Sequence, residues 1–119
     1  MLQDHAEAEA NYRRFIERVK QSRQVWGLFS QEYGFVYSAS NDDEERDVLV
    51  FWSDRAYAAR HAREEWAEFT PVPLDLDSFV NEMLPALQEN GALVGPNWDA
   101  NLCGLEIEPE ELAKQLLAE

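Results

Sequence analysis

The chain of 119 residues is 45% hydrophobic and 29% charged, a composition typical of a globular protein and not of a disordered one. Its formal net charge of −14 disfavours binding to nucleic acids and to anionic membranes, because it would repel their phosphate groups. No apolar run approaches the ~18 residues that cross a bilayer, and a single cysteine, Cys103, excludes an internal disulfide and a cysteine-rich metal site.

The N-terminal third predicts a helix followed by a hairpin. Apolar side chains recur at helical spacing over residues 3–23, and Glu9 lies one turn before Arg13, where the two form a favourable pair. VWGLFS (25–30) and FVYSA (35–39) are typical of strands, and the polar residues between them suit a turn. The helix side chains that we expect to face the core are Ala8, Tyr12, Phe15, Ile16 and Val19.

The acid-rich segment SNDDEERD (40–47) does not fit a calcium loop. An EF-hand loop requires glycine at its sixth position and glutamate at its twelfth. Counted from Asp42, these positions hold Asp47 and Ser53. The two histidines lie far apart in the sequence, which disfavours a transition-metal site. We therefore expect a surface loop here, and no metal or other cofactor.

From VLVFW (48–52) onward, strands and helices alternate. This apolar run is typical of a strand that is buried on both faces. In DSFVNEMLPALQENG (77–91) we expect Asp77 to be the N-cap, Pro85 to kink the helix and the Asn-Gly pair to stop it. The elements predicted after the strand at 48–52 are a helix at 54–69, an extended run at 72–76, the helix at 77–91, strands at 92–95 and 102–107, and a helix from Pro109 to Ala118.

This alternation predicts the class of fold. Strands separated by helices pair in parallel, so the sheet should be partly parallel. We therefore predict an α/β fold, with α+β as the alternative, in which helices pack on a mixed sheet of about five to six strands and further helices lie at both ends. The composition marks no linker, and we expect a single domain over residues 1–119.

Several short motifs, taken in their order and spacing, resemble a known family. They are WGL from Trp26, FWSD from Phe51, YA from Tyr57, Trp66, PL from Pro73, Phe79, LPAL from Leu84, GALVGPNW from Gly91, Gly104 and PEEL from Pro109. Together they are similar to the bacterial family called domain of unknown function 2750, over most of the chain. The resemblance implies a small single α/β domain, and it carries over no activity and no catalytic residue.

Ser53, Asp54 and His61 are the residue types of a hydrolase triad, but one helix cannot assemble them. A helix rises ~1.5 Å per residue, which places His61 ~10–12 Å along the axis from the other two, whereas a nucleophile and its base need ~2.6–3.2 Å. We therefore expect Ser53 or Asp54 to cap the helix. His61 should be a partly exposed structural residue in contact with Tyr57, and Cys103 a buried, inert thiol.

One further constellation lies at a sheet edge. If the strands that end at Trp52 and Val94 are parallel, their carboxyl ends share an edge, and in open α/β sheets that edge holds the ligand crevice. Two tryptophans beside short polar groups form a candidate recognition pocket, although they also suit a role as lids over the core. The candidate ligand-binding residues are Trp52, Ser53, Asp54, Asn97, Trp98 and Asp99.

The charge is unevenly spread along the chain. Residues 1–63 carry nine Lys or Arg and eleven Asp or Glu, whereas residues 64–119 carry one and thirteen. Because such a surface attracts cations, we expect a non-enzymatic accessory or protein-binding module, an adaptor or an inhibitor of the immunity type, with a basic protein as partner. The beginning of the chain lacks the basic and apolar regions of a secretory signal, so we expect a cytoplasmic location.

Two alternatives to this function are retained. One is a small-ligand-binding protein, or an enzyme, that acts at the Trp52/Trp98 edge. The other is an acidic mimic of DNA, which needs carboxylates spaced like phosphates on one face. The sequence leaves open whether the protein is a monomer or a homodimer.

Overall fold

In the computed structural model, which describes residues 5–41, 43, 45–100 and 102–118, one helix is followed by four strands, and from there helices and strands alternate. A helix stands at each end, and the predicted class of fold is confirmed. The helices are α1 (His5–Ser22), α2 (Arg55–Arg60), α3 (Leu76–Ser78), α4 (Leu84–Glu89) and α5 (Pro109–Leu117), with a 3-10 turn at Glu64–Trp66 and a π-helical turn at Phe79–Met83. The strands are β1 (Gln24–Ser30), β2 (Gly34–Phe35), β3 (Tyr37–Ala39), β4 (Asp47–Phe51), β5 (Thr70–Asp75) and β6 (Leu93–Pro96).

Helix α1 begins and ends close to its predicted bounds. The predicted Glu9–Arg13 ion pair forms, with 3.6 Å between nitrogen and oxygen. Just beyond the helix, Arg23 pairs with Asp77 at 3.0 Å, which links this basic region to the acidic part of the chain. The predicted core face is confirmed, since it consists of Ala8, Phe15 and Val19, which are buried, and Tyr12 and Ile16, which are partly buried.

Within the described residues the six strands form two three-stranded sheets, in the orders β2-β1-β5 and β3-β4-β6, and not the one mixed sheet that the sequence predicts. β1 is antiparallel to both neighbours, whereas β4 pairs antiparallel with β3 and parallel with β6, so the predicted parallel pairing is confirmed. The strand predicted at 35–39 is divided at the buried Val36, with β2 in one sheet and β3 in the other. The sheets are joined at Trp26 and Trp52, whose backbones exchange hydrogen bonds of 2.8 and 2.7 Å.

The predicted helix at 54–69 is wrong beyond its first turns. α2 ends at Arg60, Arg63 is extended, and Glu64, the first residue of the 3-10 turn, has a φ of 54° in the left-handed region. The residues of this segment favour helix, so local propensity alone predicts the longer element.

Contacts with the core explain why this helix stops. The His61 ring lies over the Trp52 ring, with 4.7 Å between the ring centroids and 34° between the planes. Trp66 and Phe69 pack against the cluster around Trp52, as their apolar character predicts, but they reach it from the turn that follows α2. Tertiary packing has therefore overridden helix propensity in this segment.

The predicted strand LCGLEI is also wrong. It contributes one isolated antiparallel bridge, between Ile107 and Val94. The rest of it wraps around Trp98, whose indole N–H donates to the Leu105 carbonyl at 2.8 Å. The Trp98 ring also occupies the space that a side chain at Gly104 would need. The segment thus packs around one large side chain instead of forming a strand ladder.

The helix predicted at 77–91 runs from α3 through the π-helical turn into α4. Its N-cap is Asp75 and not the predicted Asp77, because the Asp75 carboxylate accepts the Ser78 N–H at 3.0 Å. The extended run expected before this helix is confirmed as β5, which ends at Asp75. Asp75 is therefore both the last residue of β5 and the N-cap of the helix.

The predicted disturbance at Pro85 takes the form of the π-helical turn that precedes it. Proline has no N–H to donate, and the Leu84 N–H bonds to the Phe79 carbonyl, one residue farther back than in an α-helix. The predicted stop is confirmed, since Asn90 is the C-cap and Gly91 has a φ of 74°.

The core consists of two clusters of buried side chains. The larger one lies among α1, the α3–α4 helix and α5, and it contains Phe15, Phe51, Phe79 and Leu112. The smaller cluster is centred on Trp52. Within the residues that the structure describes, no helix is long and apolar enough to cross a membrane.

The two aspartates at the start of α3 should differ in their effect on stability. We expect Asp75→Ala to lower the free energy of unfolding by about 1 kcal/mol, because it removes the capping carboxylate. Asp77→Ala should cost at most about 0.5 kcal/mol, because it removes only an exposed ion pair with Arg23. Urea unfolding of both variants measures the difference, and equal losses would contradict the assignment of the cap.

Candidate functional site

The carboxyl ends of β4 and β6 form the edge at which the candidate residues meet. The two strands are parallel, and Phe51 lies opposite Pro96 at their ends. The residues that follow each strand are therefore neighbours, as predicted. The structure brings together Trp52, Ser53 and Asp54 after β4, and Asn97, Trp98 and Asp99 after β6.

Asn97 ties the two strand ends together from a buried position. Its side-chain oxygen accepts the Ser53 N–H at 2.8 Å, and its side-chain nitrogen donates to the Ser53 hydroxyl at 3.1 Å. The same nitrogen donates to the Asn11 carbonyl of α1 at 3.4 Å. The Asn97 backbone has a φ of 49°, a conformation that asparagine tolerates better than most residues.

Ser53 and Asp54 are engaged with each other and with α1. The Ser53 hydroxyl donates to Asp54 at 2.6 Å, and Arg18 donates to both Asp54 oxygens at 2.7 and 2.5 Å. The hydrogen bonds from Arg18 are the main cause that lowers the pKa of Asp54 below its ordinary value. Asp54 is the N-cap residue of α2, so the predicted position of the cap is confirmed. Neither its side chain nor that of Ser53 bonds to the first N–H groups of the helix, so the predicted side-chain hydrogen bond is wrong. The sequence alone could not show that Arg18 pairs with this carboxylate.

The two tryptophans of the edge belong to the core. Trp52 is fully buried and Trp98 is 2% exposed. The Trp52 indole N–H donates to the Trp98 carbonyl at 3.3 Å. The Trp98 ring lies so close to Gly95 that a side-chain carbon there would be 2.5 Å from it. Both rings are therefore rigid, and they form the floor of the site and not mobile walls.

His61 has the structural role that its position predicts. It is partly buried, and its ring nitrogens lie 2.8 Å from the Tyr57 carbonyl oxygen and 2.9 Å from that of Asp99. Both nitrogens thus face backbone oxygens and not a nucleophile. Cys103 is partly exposed in the loop after Asp99, which corrects the expectation of a buried thiol in a strand.

A cleft of ≈ 330 Å³ opens above this floor. Four of the six predicted residues line it, while Ser53 and Asp54 lie outside its lining. The other walls come from α1, from α2 with the residues after it, and from Ala100. The lining residues that the sequence analysis did not identify as a site are Glu7, Asn11, Arg14, Tyr57, Arg60, His61, Arg63 and Ala100.

The charged side chains of this cleft carry a small positive excess. Arg14, Arg60 and Arg63 line it, against the carboxylates of Glu7 and Asp99. Arg14 donates to Asn11 at 2.9 Å, and the Arg60 guanidinium lies 5.0 Å from the centre of the Tyr57 ring. Helical spacing predicts the first of these contacts, since the two residues are three apart on α1. It does not predict that α1 and α2 face the same cleft.

The acidic loop and the histidines do not assemble a metal site in the described part of the chain. Among residues 5–41, 43, 45–100 and 102–118, no three His, Cys, Asp or Glu side chains are grouped to hold a metal ion. Asp42, from which the positions of a calcium loop were counted, lies outside the described residues. The side chain of His5 lies outside them too. In the same loop, Ser40 is buried and its hydroxyl donates to Glu106 at 2.5 Å.

The model of a family described as Protein of unknown function (DUF2750) matches residues 12–116, which is nearly the whole chain. This confirms the resemblance drawn from the short motifs. No curated protein and no solved structure matches the sequence.

The Arg18–Asp54 pair should make stability depend on pH in the acid range. The folded-state pKa of Asp54 lies below its ordinary value of 3.8, so the pair stabilises the protein above about pH 4 and its contribution is lost as the pH falls further. We expect Asp54→Asn to lower the free energy of unfolding by about 1 kcal/mol at pH 7. This gap should shrink towards zero as the pH is lowered.

Chemical denaturation of the wild type and the variant between pH 7 and 2.5 measures the gap. Asp77→Asn is the matched control, because the Arg23–Asp77 pair is exposed on both sides, at 61% and 71% of the side chains. A gap for Asp54→Asn that stays constant down to the lowest pH would contradict the role of the pair.

Proposed function

We propose that this chain, which belongs to the family of proteins of unknown function DUF2750, is a non-enzymatic binding protein. Its ligand is a small anion, a carboxylate or a phosphate, held in the cleft along the Trp52/Trp98 edge. The observation that carries the proposal is the gathering of Arg14, Arg60 and Arg63 at one concave site in a chain whose net charge is −14.

The arginines are suited to an anion because of their geometry and their state of pairing. A guanidinium presents a rigid fork of donors that matches two oxygens of a carboxylate or phosphate. Within the described ranges, Arg60 and Arg63 form no ion pair, whereas Arg18 and Arg46 are each paired with a carboxylate. The indoles of Trp52 and Trp98, which also line the cleft, are buried, so a bound anion would lie partly against protein, where an ionic hydrogen bond is stronger than in water.

Binding without turnover is supported by the way in which the reactive groups are used. The Ser53 hydroxyl donates to Asp54, and Asp54 is held by Arg18. Both His61 nitrogens face backbone carbonyl oxygens. Acyl transfer needs a nucleophile bonded to a base that is itself free to take a proton. The edge has the residue types for this chemistry but uses them to hold the fold together.

Anion binding is tested with inorganic phosphate and succinate at constant ionic strength, by titration of the intrinsic tryptophan fluorescence. We expect a saturable change for at least one of the two probes. Arg14→Ala and Arg60→Ala should each weaken binding about tenfold or more, since a hydrogen bond to a charged group contributes ~1.5–3 kcal/mol.

Arg13→Ala is the matched control. Arg13 is the neighbour of Arg14 on α1, but it lies outside the cleft lining and pairs with Glu9. Its removal changes the net charge by the same amount and should leave affinity nearly unchanged. Equal losses for Arg13→Ala and Arg14→Ala, or the absence of saturable binding to either anion, would overturn the proposal.

A second candidate function is recognition of a basic protein, as an adaptor or as an inhibitor of the immunity type in the cytoplasm. The observation that favours it is the imbalance in residues 64–119, where one lysine stands against thirteen acidic residues. Such a field would steer a basic partner into contact and would weaken with added salt.

A pull-down with the immobilised chain at about 0.05 M and 1 M salt tests this second function. We expect basic proteins to be enriched at low salt and to be released at high salt, where the screening length falls to about 3 Å. Retention that does not depend on salt, or no enrichment of basic proteins, would exclude the electrostatic mechanism.

A further inference from the structure

A second concave surface, which we call the aromatic groove, lies between the β1–β2 turn and the segment that follows α2. Its volume is ≈ 410 Å³. It shares no lining residue with the arginine-lined cleft. Four rings and two carboxylates line it, those of Tyr33, Tyr37, Trp66, Phe69, Glu65 and Glu68.

Two of the four rings of this groove are open to solvent, while those of Trp66 and Phe69 are partly buried. Tyr33 is 59% exposed and Tyr37 is 55% exposed, and they are two of the three large hydrophobic side chains that are exposed in the described part of the chain. The Tyr33 and Phe69 rings lie 6.4 Å apart, at an angle of 31°. Aromatic side chains normally bury most of their area, so exposed rings around one concavity are a feature that a ligand would explain.

The backbone holds these rings in place. The Ser30 hydroxyl accepts the N–H groups of Glu32 and Tyr33, at 3.1 and 3.3 Å, which fixes the turn that carries Tyr33. On the other side, the Trp66 and Phe69 N–H groups bond to carbonyls within the turn after α2, at 2.9 and 3.1 Å. The backbone that carries Tyr33, Trp66 and Phe69 is therefore held in place before a ligand binds, which lowers the cost of ordering the groove.

We infer that the aromatic groove binds an organic ammonium group. The face of an aromatic ring carries partial negative charge and attracts a cation, tyrosine and tryptophan among the strongest. Glu65 and Glu68 add full negative charge to the lining, which contains no lysine or arginine among the residues that the structure describes. The chain as a whole, with a net charge of −14, attracts cations to its surface.

The chemistry of the groove distinguishes an ammonium ion from other ligands. An anion would be repelled by the two carboxylates. A metal ion requires a fuller set of oxygen ligands than two glutamates provide. A purely apolar ligand would leave Glu65 and Glu68 without a role, and a planar guanidinium stacks on one ring at a time. A compact alkylammonium, from a free quaternary amine or from a lysine side chain, can face several rings at once.

The inference is independent of the proposed anion site, because the two concavities have separate linings. It is tested by NMR of the full chain, labelled with ¹⁵N and titrated with tetramethylammonium chloride. Sodium chloride at equal ionic strength is the control for general charge effects. We expect saturable shifts for the amides of residues 33–37 and 65–69 and for the Trp66 indole N–H, and no saturable shifts with sodium.

Two substitutions at one position separate cation–ring attraction from simple apolar contact. Tyr33→Phe keeps the ring and should keep the affinity within about twofold, whereas Tyr33→Leu removes the ring and should weaken binding about two- to fivefold. Glu68→Gln should weaken binding by a similar factor. Arg60→Ala, which alters the other cleft, should change nothing here, so failure of the two proposals can be told apart.

The source of the ammonium group is assigned by comparing free tetramethylammonium with a short peptide that contains one lysine and with its glutamine counterpart. Tighter binding of the lysine peptide than of the free cation assigns a protein partner, and the reverse order assigns a small amine. Equal effects of sodium and tetramethylammonium, shifts that map to the Trp98 cleft, or equal losses in the two Tyr33 variants would each overturn the inference.

Discussion

The structure of the edge depends on the buried side-chain amide of Asn97. This one group bonds to Ser53 after β4 and to the Asn11 carbonyl on α1, while its own backbone continues β6. Three elements that are distant in sequence thus meet at a single amide. An amide that is buried without partners costs ~1–3 kcal/mol, so the elements are held in one relative position.

The features predicted correctly from the sequence are those set by local pattern, and the errors have long-range causes. The apolar runs of β4 and β6 and the Asn90-Gly91 stop can be recognised from neighbouring residues alone. The shared edge follows from the order in which strands and helices alternate. The contact of His61 with Trp52, which ends α2 early, joins separate elements and leaves no periodic signal. For the same reason the candidate site was predicted in part: the strand ends were found, whereas Arg14 and Arg60 come together only through the packing of α1.

The early end of α2 also determines how charge is arranged on the surface. In a continuous helix Arg60 would lie one turn from Glu64, at a spacing where opposite charges pair and cancel. The left-handed residue Glu64 turns the chain instead. Arg60 and Arg63 therefore line the cleft, while Glu65 and Glu68 line the aromatic groove. A short stretch of chain thus separates a concave surface with arginines from one with glutamates. A regular helix would have placed side chains of both charges on the same face.

The packing of Trp98 has a consequence for how sequences of this family vary. Its indole ring fills the places where side chains at Gly95 and Gly104 would stand. Neither glycine is required by its φ angle, since neither lies in the left-handed region. The Trp98 ring constrains both positions instead, so residues 95, 98 and 104 should vary together. Relatives that keep the tryptophan should keep both glycines, and those that replace it by a smaller residue should be free to carry alanine or serine at either one.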